Sequence, residues 1–115
     1  MLKIAALSVA LMVQSWTPIT RGADGVLIEM DMDSMTAISG KPALWTRTTH
    51  KDGSFWMALE VFDCTNRTRG VRTIVQYDKS GRPGKSVNLP PVMIEMTPVV
   101  PGTVGESVYL AVCAR

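Results

Sequence analysis

The residues of this 115-residue chain with chemistry to offer are one imidazole, two thiols and a few clusters of charged or thioether side chains. His50 is the single histidine, and beside Cys64 or Cys113 it would be the base that activates a thiolate. One histidine and two cysteines do not complete a four-ligand zinc site without carboxylates. Glu29, Asp31 and Asp33 alternate, so an extended chain points all three the same way. Such a row is able to hold calcium or to set an acid beside a base. No glycine-bearing calcium loop accompanies it, and a solvated strand face has the same pattern. Met30, Met32 and Met35, with Met93 and Met96, have spacings used by copper(I) sites, but on the apolar side of a strand methionine is an ordinary filler. Gly84-Lys85-Ser86 ends like a phosphate-binding loop. The leading glycine is replaced by Lys79, and Pro90 and Pro91 follow where a helix would have to start, so a hairpin turn is expected. Arg67, Arg69 and Arg72 cluster after Cys64. Guanidinium forks suit carboxylate or sulfate partners, including acidic proteins and glycosaminoglycans, and a solvated turn carries the same residues. Asn66-Arg67-Thr68 has the glycosylation pattern. No catalytic set, metal or cofactor is assigned from these residues.

These groups have to be positioned by one domain, since the length is too short for two, and 46% hydrophobic with 19% charged residues excludes a disordered tail. A net charge of +2 argues against a nucleic-acid binder driven by charge. Met1-Leu2-Lys3 is short and basic, residues 4–13 (IAALSVALMV) are apolar, and a polar stretch rich in small residues follows. That is the layout of a secretory signal peptide. The apolar run is about half of the ~20 residues a membrane-spanning helix takes, so no transmembrane span is expected; a buried N-terminal helix or strand is the alternative. The leader is read as residues 1–22, with cleavage after Ser15, Gly22 or Ala23, and the folded domain as residues 23–115. No cysteine follows the apolar run closely, so export without a lipid anchor is expected, to the periplasm, the medium or the cell surface. In an oxidising compartment the two cysteines allow one intramolecular disulfide, Cys64–Cys113.

Period-two alternation predicts a half-buried strand at residues 26–33, with Ile28, Met30 and Met32 opposite the acids. A short helical turn is expected at 33–37. Residues 43–50 predict a second strand, Asp52-Gly53 a hairpin, and residues 55–64 a central strand covered on both sides. Residues 65–70 read as a polar turn, 71–78 as a fourth strand, and 79–85 as a loop. The stretch 86–97 is extended, and Pro90-Pro91 forces it to an edge or into two pieces. Thr103-x-x-Glu106 is a capping box, and Val104, Val108, Ala111 and Val112 recur at helical spacing, which predicts a helix over 104–114. The fold class is α+β, a small antiparallel sheet with a C-terminal helix packed on it.

Three segments resemble the bacterial surface-adhesin protein E family. They are Val61-Phe62-Asp63-Cys64-Thr65-Asn66-Arg67, Tyr77-Asp78-Lys79-Ser80-Gly81, and Pro98-Val99-Val100-Pro101-Gly102-Thr103-Val104-Gly105-Glu106 followed by Ala111-Val112-Cys113. Met96 stands where relatives often have tryptophan. The resemblance implies an exported, disulfide-bonded binding domain without enzymatic activity, whose partner is a host matrix or plasma protein or an envelope component. Arg67, Arg69 and Arg72 are its candidate ligand surface. A periplasmic accessory or structural role in an envelope assembly is the alternative.

Overall fold

The structure is a computed structural model that describes residues 15–114, so the apolar run at residues 4–13 lies outside the described residues. Seven strands form one antiparallel sheet: β1 (Thr17–Arg21), β2 (Leu27–Ile38), β3 (Lys41–Thr49), β4 (Phe55–Asp63), β5 (Thr68–Tyr77), β6 (Pro83–Asn88) and β7 (Thr97–Pro98). The first six pair in sequence order, and β7 joins the far end of β5. A single 3₁₀ turn (Pro91–Met93) and the helix α1 (Val104–Cys113) complete the chain. The α+β class, the interior position of β4 and the C-terminal helix agree with the sequence, and the Pro-Pro stretch is broken into two pieces, β6 and β7, by the 3₁₀ turn at Pro91. The expected cover on both sides of β4 does not form, because the single helix packs on one face and leaves Phe55, Met57 and Leu59 half-buried on the other.

The hairpins follow from local chemistry. Ser39 and Gly40 both have positive φ, 51° and 78°, the geometry of a two-residue turn that matches strand twist. The β3–β4 loop is longer, residues 50–54, and turns at Gly53 (φ 94°), whose N–H donates to the His50 carbonyl (3.0 Å), while Asp52 accepts hydrogen bonds from the Ser54 N–H and hydroxyl. Directly paired residues share a face. One face therefore carries Ile28, Met30, Leu44 and Phe62, all buried, and α1 packs on it through Val108, Tyr109 and Val112. Val99, also buried, closes this core. Val104, expected on the packed stripe, is 39% exposed, because the first helical turn projects past the core. The cap forms in part as expected. Thr103 accepts the Glu106 N–H, but the Glu106 carboxylate turns back to the Gly102 N–H.

Residues 33–37 are not helical. They lie within β2, where the pairing with β3 shifts between Asp31 and Thr36. The bulge is held by Ser34, whose hydroxyl donates to the Asp31 carbonyl (2.6 Å) and accepts the Trp45 N–H (2.9 Å). A serine substitutes for the ladder partner that the extra residues displace. Nor are Glu29 and Asp31 a solvated row, for both are buried. Arg47 stands directly opposite Glu29, donates from Nε (3.0 Å) and Nη2 (2.9 Å), and lies against the Trp16 ring at 4.6 Å. The cover comes from a neighbouring strand and from residue 16, so nothing within residues 26–33 announces it. β1 itself falls within residues 1–22, the expected leader.

Cys64 and Cys113 are joined, closing a separation of 49 residues between the end of β4 and the end of α1. The Tyr109 hydroxyl donates to the Cys64 carbonyl (3.0 Å) beside that link. Removing the constraint raises the entropy of the unfolded chain. Reduction, or the double change Cys64→Ser and Cys113→Ser, is predicted to lower unfolding free energy by about 4 kcal/mol. Denaturant titration of the oxidised chain, with and without reductant, checks this; equal midpoints would refute it.

Candidate interaction surface

The turn after β4 sets the arginines. Asp63 accepts the N–H groups of Thr65 (3.1 Å) and Asn66 (3.0 Å) and the Asn66 side-chain amide (3.0 Å). That wraps the chain tightly enough to put Arg67 at φ 53°, a left-handed conformation that costs a non-glycine residue about 1 kcal/mol. Its side chain offsets this by pairing with Glu106 (3.2 Å) and lying over the Tyr109 ring at 5.0 Å. Arg69 lies inward. Its Nε donates to Glu60 (3.1 Å), its Nη2 makes a closer contact with the same carboxylate, and the other Glu60 oxygen accepts the Thr46 hydroxyl (2.7 Å). A Cβ at Gly105 would stand 3.0 Å from Arg69 Nη1, so the helix can start over this arginine because residue 105 has no side chain. Arg72 sits at a bulge of β5, and its Nε is a buried nitrogen without a hydrogen-bond partner among the described residues.

The three sequence-selected arginines thus differ in position. Arg67 and Arg69 converge on the first turn of α1, where positive charge opposes the helix dipole, and Glu106 and Glu60 compensate them. The Arg67 side chain keeps 49% of its surface exposed, whereas Arg69 keeps 30% above a Glu60 that keeps 7%.

A second surface was missed from sequence. On the face of the sheet away from α1, Trp45, Phe55, Met57, Leu59, Val75 and Tyr77 are half-buried neighbours, with Phe55 and Tyr77 stacked at 4.7 Å. One corner is covered by Ile94 and Met96, which pack on Ile38, Ala43 and Val61. There Gly70 is buried, and a Cβ on it would come within 2.8 Å of the Glu95 carbonyl and both side chains. Phe55, Met57 and Leu59 alternate visibly, but only the absence of a second layer among the described residues turns them into surface.

The other candidates resolve simply. Both sulfurs are used in the disulfide, and the His50 ring stands edge-on to Trp56 at 4.7 Å. Lys85 and Ser86 are exposed in β6, with strand rather than helix around them. Met30 is core, Met32 and Met35 pack beside it, and Met93 is exposed. No group of three or more His, Cys, Asp or Glu side chains among the described residues is placed to hold a metal ion. No helix among them is long and apolar enough to cross a membrane.

Breaking the two ion pairs separates their roles. Arg69→Ala leaves a buried carboxylate unpaired and is predicted to cost roughly 3–5 kcal/mol. Arg67→Ala removes an exposed pair and is predicted to cost about 1 kcal/mol or less. Chemical denaturation of both variants measures the difference; similar losses would contradict the assignment.

Asn66, through its backbone and side-chain N–H, and then Thr65 hold the Asp63 carboxyl below its ordinary value of 3.8, with Lys41 adding to the effect. A carboxyl depressed in the folded state favours folding fully above the unfolded value, and that contribution is lost as pH falls through the lower folded value. Asp63 is therefore predicted to titrate below 3.8 by NMR. Asp63→Asn should flatten part of the stability loss between about pH 5 and pH 2. A titration midpoint at or above the ordinary value would overturn this.

Compared with known proteins, residues 16–114 match the surface-adhesin protein E family, starting at the tryptophan that lies over Arg47. Neither the curated proteins nor the solved structures yield a match to the chain.

Proposed function

Because the chain belongs to the surface-adhesin protein E family, we propose that it is an exported, non-enzymatic binding protein of the bacterial envelope that engages an acidic protein partner of the host matrix or plasma. The observation that carries this reading is the family match across nearly all of the described residues. Three features support it. Neither sulfur is available as a nucleophile, since each is bonded to the other. Arg67 is the arginine of the cluster with a guanidinium both fixed in direction and open to a partner's carboxylate. The half-buried face around Met57, Val75 and the Phe55–Tyr77 stack supplies apolar area that an arginine patch lacks.

Solid-phase titration of matrix and plasma proteins on the oxidised domain tests the proposal. Saturable binding at physiological salt is expected. Arg67→Ala should weaken it, and more so at low ionic strength, because an exposed charge acts through a screened field. Val75→Lys should weaken it through the sheet face. No saturable binding to any of these proteins would defeat the reading. Binding unaffected by both substitutions would defeat the surfaces. Protease treatment of whole cells separates a surface position from a periplasmic one, where the accessory role would apply.

A further inference from the structure

Strand β1 bears on where the leader is removed. Trp16 lies over the Arg47 guanidinium, and Thr17–Arg21 pairs with β2 from Met30 to Leu27. Ile19 packs against the main core, and Thr20 and Arg21 line a cleft shared with Thr103, Val104 and Glu106 at the start of α1. Gly22 and Ala23 lie in the tight connection to β2, where the Gly22 N–H donates to the Val26 carbonyl (2.7 Å) and the Gly25 N–H to the Gly22 carbonyl (3.1 Å). Hydrolysis after Gly22 or Ala23 would remove the whole of β1. The product would expose the edge of β2, lose Ile19 from the core, and take the tryptophan away from the Glu29–Arg47 pair. Hydrolysis after Ser15 removes none of these contacts.

Ser15 also has the chemistry of a cleavage residue. It is small and exposed, Val13 two positions earlier is uncharged, and the apolar run of residues 4–13 precedes both. Resting on the export reading above, we infer that a signal endopeptidase cuts the Ser15–Trp16 bond and that Trp16 is the first residue of the mature protein. One water is consumed. The bond from the Ser15 carbonyl carbon to the Trp16 nitrogen breaks, the leader leaves with a carboxylate on Ser15, and the mature chain gains an α-ammonium on Trp16. All seven strands stay in the product.

The test is N-terminal sequencing and intact-mass measurement of protein recovered from the envelope fraction of bacteria expressing the full chain. The expected sequence is Trp-Thr-Pro-Ile-Thr, with a mass short of the precursor by residues 1–15. Ser15→Phe should abolish the mature species and accumulate precursor, because a bulky side chain does not fit the position before the cut. Ala23→Phe should leave processing unchanged. An envelope protein that starts at Ala23 or Asp24, or one that keeps its leader, overturns the cleavage site and leaves export standing. A chain that starts at Met1 in the cytosol overturns both.

Discussion

A helix of ten residues has to cover a sheet of seven strands, and most of this molecule follows from that disproportion. Val108, Tyr109 and Val112 are the buried residues by which α1 holds the sheet. Three side chains are a small apolar contact for a helix that would be marginal by itself at this length. The covalent link from Cys113 to Cys64 and the Tyr109 hydroxyl on the Cys64 carbonyl fix one end. At the other end, Thr103 caps the first turn and Glu106 reaches Arg67. The helix is pinned at both termini, which lets its middle be short.

The same disproportion explains the polar interior. Glu60 and Thr46 lie on the helix-covered face of β4 and β3, where a two-layer domain would carry apolar residues. Arg69 reaches in to satisfy Glu60 from the rim that the helix start leaves open. On the far face, Arg47 and Trp16 do for Glu29 what a second layer would otherwise do. In both places a long guanidinium side chain serves as cover, its stem on the sheet and its head on a carboxylate.

Local signals were legible in the sequence and cross-strand ones were not. Asp52-Gly53, the alternation of residues 55–61 and the Thr103–Glu106 cap are written within a few neighbouring residues, and each forms where expected, the cap in part. The pairing of Cys64 with Cys113 was legible because two cysteines leave one choice. The β2 bulge was hidden because Asp33, Ser34 and Thr36 read as a turn, while the partner of Ser34 is eleven residues away on β3. The burial of Glu29 was hidden for the same reason, its partner being Arg47. β1 was hidden by its composition, for Thr17-Pro18-Ile19-Thr20-Arg21 is polar and carries a proline, which an edge strand tolerates. For the candidate surface, the residue types of the arginine cluster were readable. Their division into an inward and an outward guanidinium depends on the left-handed turn at Arg67.

The order of the strands has a kinetic side. Because β1 to β6 each pair with the strand next in sequence, the sheet is able to zip up by a series of small ring closures, each of low entropic cost. Docking of α1 against β1 is different in kind, since it brings together segments from opposite ends of the chain. A sheet assembled by neighbours and a lid that arrives from far away make a two-speed assembly, in which the tether at the end of β4 shortens the slow search.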